Sequence, residues 1–534
     1  MRVLAGTAGV GAAIGALACG AVTGIAAPTP HAVTDRTLVS IPAHRTSEFT
    51  VARDPSNSLH LVAAAMDWDS PSGTVGCASF VSSDGGRTWA SGGVVPEFVD
   101  ARQHVDPWVS IGSNGQVAMT CIAQNANSGG IDRQLLLARS GDGGRTFGAA
   151  TSVPQLTTGA GTATKDSVFL ARDGRLYLCF KETDLEVLVS PDGGTTWMPH
   201  KRFTGLSATC NGIVQGPAGD VIVNWQDSGG GSAPDTSFGA LASVDRGLTW
   251  TVFSPAGLGN PVPSDPPFPQ AAAPSLAVSP VTGHVFEAAQ QYQQTNAAGN
   301  HAAMLLFRSI DDGAHFGSLS LPAIPSSACA GCNQVHPTLT LLDDGRLALE
   351  LVLSDDQSIH REVWLIVSAD EGSTWAAPLL LGSTDITDSY LLPSSSTPSA
   401  VNLAMGLGGS IANPAGAPSS LVGAASVVIW PYFHRDGGEY YGISSTPQGI
   451  VAMWVDHYNA GVSQVWSRLV DPGAAAATGI LPASAPAPSV ASGSTPGLAN
   501  TGGLVARGGV VVVVAVFLLG GAIVLLRGAR RRSR

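Results

Sequence analysis

The sequence predicts an all-β fold, a seven-bladed β-propeller of four-stranded blades. Two observations lead there: one eight-residue pattern recurs six times, and the segments between copies read as strands with hardly any helical periodicity. The pattern is Ser-x-Asp-x-Gly-x-x-aromatic, found at Ser82–Trp89, Ser140–Phe147, Ser190–Trp197, Ser243–Trp250, Ser309–Phe316 and Ser368–Trp375. Its aspartates Asp84, Asp142, Asp192, Asp245, Asp311 and Asp370 are separated in turn by 58, 50, 53, 66 and 59 residues. The chemistry is that of a tight hairpin turn. The carboxylate accepts hydrogen bonds from its own turn, glycine supplies a positive φ, and the aromatic ring buries between neighbouring sheets.

The rest of each unit precedes its turn. Val105 to Ile122 reads as strand, turn at Ser113-Asn114-Gly115, strand, and Gln134 to Arg139 runs as a third strand into the next copy. Val168–Phe180, Ile213–Trp225, Leu276–Ala288 and Leu339–Leu353 repeat the scheme, and Phe49–Ala65 is a matching first unit. Tyr441–Met453 with Val462–Leu469 forms a last unit that lacks the turn pattern. Seven units predict seven blades. Six is the alternative if the last unit and the segment near Leu38–Ile41 combine to close the ring. The Ser-, Gly- and Pro-rich stretch 385–431 reads as an insertion in the propeller, which spans 37–470.

These Ser-x-Asp-x-Gly-x-x-aromatic turns are identified as Asp boxes, also called bacterial neuraminidase repeats, and the chain resembles the sialidase-like β-propeller superfamily over roughly Thr37 to Val470. By that resemblance the six aspartates are structural turn clamps.

Composition bounds the function. Of 534 residues only 12% are charged, the net charge is −12 and the mean hydropathy is +0.20. The long apolar runs lie at the two ends, so the body is water-soluble, and its acidity excludes a nucleic-acid partner. Residues 1–27, with Arg2 followed by an apolar run to Ile25 and Ala26-Ala27, read as a secretory signal peptide. Residues 471–497 form an Ala/Pro/Ser-rich wall-spanning linker. Then come Leu498-Ala499-Asn500-Thr501-Gly502, an apolar segment within 503–526 long enough to span a bilayer, and a basic cytoplasmic tail, 527–534, with five arginines. That ordered trio resembles a Gram-positive sortase sorting signal. The resemblance implies cleavage between Thr501 and Gly502, sortase and peptidoglycan as partners, and a chain left as a single-pass membrane protein where sortase does not act. Arg2, Arg507 and the tail account for seven of the 27 basic residues, so the exported part carries 20 basic against 39 acidic residues, a net −19.

Six cysteines remain after the signal peptide: Cys77, Cys121, Cys179, Cys210, Cys329 and Cys332. An even number in an exported chain reads as disulfides, with Cys77–Cys121 and Cys179–Cys210 bridging neighbouring blades and Cys329–Cys332 closing a small loop. No motif asks for a metal or another cofactor.

Topology places the functional face. In an antiparallel four-stranded blade the entry to the innermost strand lies at the end opposite the turn between third and fourth strands, so the Asp boxes mark the bottom. Residues before each first strand line the top: Glu48, Arg102, His104, Asp106, Lys165, Asp166, Asn211, His336, Glu439 and Tyr440. Exits of second strands add Asp67, Asp69, Tyr292, Asp456 and His457. Sialidase-type hydrolysis, which the resemblance suggests, needs three arginines to grip a carboxylate, an acid/base Asp and a Glu-activated Tyr nucleophile. Ser40-Ile41-Pro42 stands where the family has Arg-Ile-Pro, so one arginine is missing. Arg45, Arg102 and Arg435 are the remaining candidates. Tyr440 with Glu439 is the nucleophile pair, and Asp67, Asp69 or Asp106 is the proton donor. His104, Asp166, Tyr292, His336 and Asp456 are candidate ligand-binding residues. Two functions stay open: a surface-anchored propeller binding an extracellular glycan or glycoprotein, and an exo-sialidase or other glycoside hydrolase.

Overall fold

The structure is a computed structural model, and it describes residues 30–70, 75–95, 103–124, 133–154, 163–227, 237–253, 273–295, 299–325, 332–355, 360–385, 441–459 and 462–473. The signal peptide, the 385–431 insertion beyond Asp385, the linker beyond 473, the sorting motif, the apolar segment and the basic tail lie outside those residues. Every regular element described is a strand.

Two short N-terminal strands come first, β1 (His31–Ala32) and β2 (Thr37–Leu38). Blade 1 follows with β3 (Thr46–Arg53), β4 (Leu61–Asp67), β5 (Gly76–Ser82) and β6 (Ala90–Val94). Blade 2 is β7 (Gln103–Ile111), β8 (Val117–Gln124), β9 (Arg133–Ser140) and β10 (Thr151–Ser152). Blade 3 is β11 (Thr164–Leu170), β12 (Leu176–Lys181), β13 (Leu185–Ser190) and β14 (Lys201–Phe203). Blade 4 is β15 (Ala208–Gln215), β16 (Val221–Asp227), β17 (Ser237–Ser243) and β18 (Thr251–Phe253). Blade 5 is β19 (Ser275–Val278), β20 (Val285–Thr295), β21 (Gly299–Ser309) and β22 (Gly317–Leu319). Blade 6 is β23 (Asn333–Leu341), β24 (Leu347–Ser354), β25 (His360–Ser368) and β26 (Leu379–Asp385). Blade 7 has only three strands of its own, β27 (Ser444–Thr446), β28 (Gly449–Asn459) and β29 (Val462–Asp471).

Each sheet is an antiparallel meander, and the seventh is completed by the N-terminus, with β1 and β2 both pairing with β29. The segment near Leu38 does close the ring with the last unit, but as the outer edge of a seventh blade. Closure of this kind covers the edges that an open ring would expose. The propeller therefore runs from His31 to Asp471, slightly beyond the span expected from the repeats.

The boxes fold as their chemistry requires. Asp84 Oδ1 accepts the backbone N–H of Arg87 at 3.1 Å and of Thr88 at 3.0 Å, while Oδ2 accepts the Thr88 hydroxyl at 2.6 Å. In the fifth box His315 replaces threonine, and its Nδ1 meets Asp311 Oδ2 at 2.6 Å. Accepting so many hydrogen bonds lowers the carboxyls: Thr146 and Ser140 bring Asp142 down to about 2, and the same shift appears at Asp192 and Asp245. Each box also fastens its blade to the one before. Trp89 Nε1 donates to Ser467 Oγ of blade 7 at 3.0 Å, Trp250 packs edge-on against Tyr177 of blade 3, and Trp375 Nε1 donates to Ser320 O of blade 5 at 2.8 Å. The glycine two residues after the aspartate makes the approach possible. At Gly144 (φ +82°) a Cβ would stand 2.8 Å from Val62 Cγ2 of blade 1.

The core lies in the seams between blades. One apolar cluster joins blades 6, 7 and 1 through Val363, Trp454 and Phe49, and another joins blades 3 and 4 through Tyr177, Val223 and Trp225. Cys77 on β5 is bonded to Cys121 on β8, Cα to Cα 6.7 Å, and so stitches blades 1 and 2. Cys332 is disulfide-bonded, and Cys329, the partner the sequence suggests, lies outside the described residues. Cys179 and Cys210 differ from the expectation: they adjoin across the seam of blades 3 and 4 but stand as buried thiols.

Two substitutions test the seam. Gly144→Ala combines a left-handed backbone with a clash at Val62 and is expected to cost about 2–4 kcal/mol. Asp84→Ala, which strips a turn of a charged acceptor, is expected to cost about 1–3 kcal/mol. Urea denaturation checks both through a lowered midpoint, the larger shift belonging to Gly144→Ala.

Candidate functional site at the channel mouth

Innermost strands of the blades surround a central channel. A cavity of about 160 Å³ in it is lined by Thr50 and Val109 of blades 1 and 2, Gly212 and Ser275 of blades 4 and 5, and Thr338 and Tyr441 toward blades 6 and 7. Five of these strands break register at the end away from the boxes. The breaks fall between Ser47 and Phe49, Val105 and Trp108, Thr164 and Ser167, Cys210 and Gly212, and Val335 and Thr338. A bulge inserts an unpaired residue and re-aims its side chain. The inserted residues are Glu48, Asp106, Lys165, Asn211 and His336, neighbours on the list expected from topology.

Four of them hold a backbone that L-residues avoid: Glu48 at φ 44°, Asp106 at 54°, Lys165 at 49° and His336 at 54°. Only four other non-glycine residues with positive φ are found among the described residues. Arg246, Asp312 and Glu371 replace the first glycine of a box, and Ala43 sits in a turn. Left-handed charged residues at equivalent places around one pore mark strain concentrated at a site.

The bulges of blades 1 to 3 meet. Lys165 Nζ lies 3.5 Å from Asp106 Oδ1 and 3.9 Å from Glu48 Oε1, so one ammonium bridges two carboxylates that are themselves 4% and 1% exposed. Asp166 is buried beside them. Burial, reinforced by the like charge of Asp106 and opposed by Thr120, raises its carboxyl to about 8, so it carries a proton at neutral pH. On the other side of the mouth His336 stacks flat on Tyr441, centroids 4.3 Å apart and planes 2° from parallel. The opposite face of Tyr441 meets Phe49 at 5.2 Å, and its hydroxyl accepts a hydrogen bond from Arg361 Nη2 at 2.7 Å. Glu48 and Phe49 are adjacent in β3, so the charged and aromatic halves share a wall.

Other expected residues sit apart from this cluster. Arg45 donates Nη1 to Asp69 Oδ1 at 3.1 Å, and Asp67 faces His44 Nδ1 at 2.9 Å, so these groups pair with one another beside blade 1. Burial raises the Asp67 carboxyl even so. His104 is buried at the start of β7, and Asp456, on β28, accepts the backbone N–H of His457 at 2.8 Å. Tyr292 lies on β20. Arg102, Arg435, Glu439 and Tyr440 fall outside the described residues. Tyr441 and Arg361 were not expected from the sequence. The first adjoins the chosen tyrosine, and the second is a charged residue 1% exposed within a third strand. Among the described residues no group of three His, Cys, Asp or Glu side chains is arranged to hold a metal ion.

No protein-family model matches the chain, and no curated protein is similar to it in sequence. Solved structures with a similar fold include the Hadza microbial sialidase Hz136 (18% identity, 58% of this chain and 64% of that one, TM-score 0.40). The leech intramolecular trans-sialidase complexed with 2,7-anhydro-Neu5Ac shares 11% identity over 64% of this chain and 68% of its own, TM-score 0.40. An α-L-arabinanase of Penicillium chrysogenum complexed with arabinobiose shares 14% over 66% and 99%, TM-score 0.40. The chain thus spans less than two thirds of Hz136. Likeness at this level leaves the chemistry to be argued from the residues of the mouth.

A pH dependence follows from the buried acids. A carboxyl raised in the folded state keeps a proton that the unfolded chain releases near its ordinary value. Its stability contribution is fully present below that value and declines as pH rises to the folded one, here from about 4 to about 8 for Asp166. Glu287 and Glu350, also pushed well up by burial, act in the same direction. The thermal midpoint of the protein is expected to fall between pH 5 and pH 8, and Asp166→Asn to flatten part of that slope, as differential scanning fluorimetry across pH would show.

Proposed function

We propose that the protein is displayed outside the cell and binds an extracellular glycan at the channel mouth. The observation that carries this reading is the set of four left-handed residues, Glu48, Asp106, Lys165 and His336, at equivalent bulges around one channel mouth. Their acceptors and donors suit hydroxyl groups, and the aromatic half suits the apolar face of a sugar ring. Two carboxylates around a single ammonium favour an uncharged glycan over an acidic one. The described arginines support the same choice, because Arg45 is paired with Asp69 apart from the mouth and Arg361 donates to Tyr441.

A second reading is favoured by one observation, the protonated Asp166 near Asp106. Acid-base cleavage of a glycosidic bond uses a carboxyl that holds its proton beside a second carboxyl, with Asp166 as proton donor and Asp106, 3.5 Å from the Lys165 ammonium, as its counterpart.

Display outside the cell rests on the signal-like N-terminus and the sorting-signal resemblance. The exit of the tether is consistent with it. β29 ends at Asp471 on the box face, where Arg346 of the β23–β24 turn holds the carbonyl of Gly473. The described chain thus ends at the face opposite the mouth.

Three measurements test these proposals. On a glycan array the purified protein should retain neutral oligosaccharides and not sialosides, and Lys165→Met should weaken binding about tenfold, which is about 1.4 kcal/mol. Retention of sialosides alone would refute the neutral-glycan reading. Release of nitrophenol from neutral nitrophenyl glycosides, lost in Asp166→Asn, would establish hydrolysis. In a Gram-positive host, wall fragments should carry the protein through Thr501, and recovery solely from membranes with an intact 503–534 segment would refute wall attachment.

A further inference from the structure

The thiols of Cys179 and Cys210 lie in the seam between blades 3 and 4, and nothing in the glycan reading uses them. Cys179 stands on β12 opposite Ser167, the first residue after the Lys165–Asp166 bulge. Cys210 stands on β15 opposite Trp225, immediately before the bulge residue Asn211. The two are 0% and 2% exposed within one apolar cluster and in hydrogen-bond contact with each other. Burial, then the neighbouring thiol and Asp166, push the Cys179 thiol well up, so little thiolate is available once the seam has closed.

The bonded pair Cys77–Cys121 bridges the seam of blades 1 and 2, from the third strand of one blade, β5, to the second strand of the next, β8. We propose that Cys179 and Cys210 are a modification site, oxidised to a second inter-blade disulfide that locks blades 3 and 4 directly beneath the channel mouth. Two S–H bonds break and one S–S bond forms. Two protons go to solvent, and two electrons go to an exogenous disulfide oxidant of the thiol-oxidase or oxidised-glutathione class. Because the folded thiols are sealed in the seam, the bond forms during folding, while the seam is still open. It then constrains a loop of roughly 30 residues in the unfolded chain, which favours the folded state. Its position also gives it a functional consequence, since it fixes the spacing between the Lys165–Asp166 bulge and Asn211.

The test is independent of any glycan. The full chain is reduced in denaturant, refolded in a buffer of reduced and oxidised glutathione, alkylated in denaturant and digested without reduction. Mass spectrometry is expected to find a Cys179–Cys210 linked peptide at the same yield as the Cys77–Cys121 peptide. Alkylated Cys179 and Cys210, glutathione capping of either, or any other partner for them would overturn the proposal. In Cys210→Ser, Cys179 is expected to become one alkylatable thiol per chain. Should that variant fail to fold, the peptide map of the unsubstituted chain still decides.

Discussion

Seven innermost strands converge on one axis, and at one end of the channel five of them must take in an extra residue. The proposed binding site depends on how that insertion is accommodated. A regular strand would turn alternate side chains into the seams, leaving few to face the pore. The bulge frees one residue per strand from pairing and turns it toward the mouth, at a cost of roughly 1–2 kcal/mol wherever a non-glycine residue is held left-handed. Glu48, Asp106, Lys165 and His336 all bear that cost. The flanking ladders that impose it, such as Phe49 on Ala65 and Thr338 on Glu350, are part of the same sheets that the seams hold in place.

The opposite end of the propeller supplies the rigidity. Each Asp box ties its own turn with a carboxylate and anchors a ring or a glycine on the preceding blade, so the ring is fastened blade to blade at its lower rim. Where a blade lacks a fourth strand of its own, the N-terminal strands complete it, and Arg36 over the Tyr458 ring at 3.7 Å helps to pin that segment. Strain at the upper rim is tolerated because the lower rim leaves the blades little freedom to relax it. Lys165 lies between Glu48 and Asp106 and offsets the repulsion of two carboxylates that the bulges bring close together.

How much of this was legible in the sequence depends on whether the cause was local. The boxes were legible because serine, aspartate, glycine and an aromatic ring at fixed spacing are each required within eight residues. Blade number followed from counting strand units, six with a box and one without, and Glu48, Asp106, Lys165 and His336 fall at the end away from the boxes because strand entries lie there. Their left-handed backbone was not legible, since Glu, Lys and His carry none of the preference for positive φ that glycine advertises. Tyr441 was not singled out because it precedes the last blade's first strand with no motif around it, and its role shows only in its contacts with His336, Phe49 and Arg361. Arg361 was missed because a charged residue in a strand reads as exposed, whereas here it is buried and donates to the Tyr441 hydroxyl across the seam. The proximity of Cys179 and Cys210 followed from blade adjacency, whereas their oxidation state depends on chemistry that residue spacing does not encode.

The central claim is that the bulged mouth, and not the box face, is where a ligand binds. Hydrogen–deuterium exchange of the protein with and without the neutral glycan it retains most tightly tests this directly. Protection is expected in the bulge segments around residues 46–50, 104–109, 164–168 and 335–339, with the box turns unchanged. Protection confined to the box turns or to outer strands, with the bulge segments exchanging as before, would contradict it.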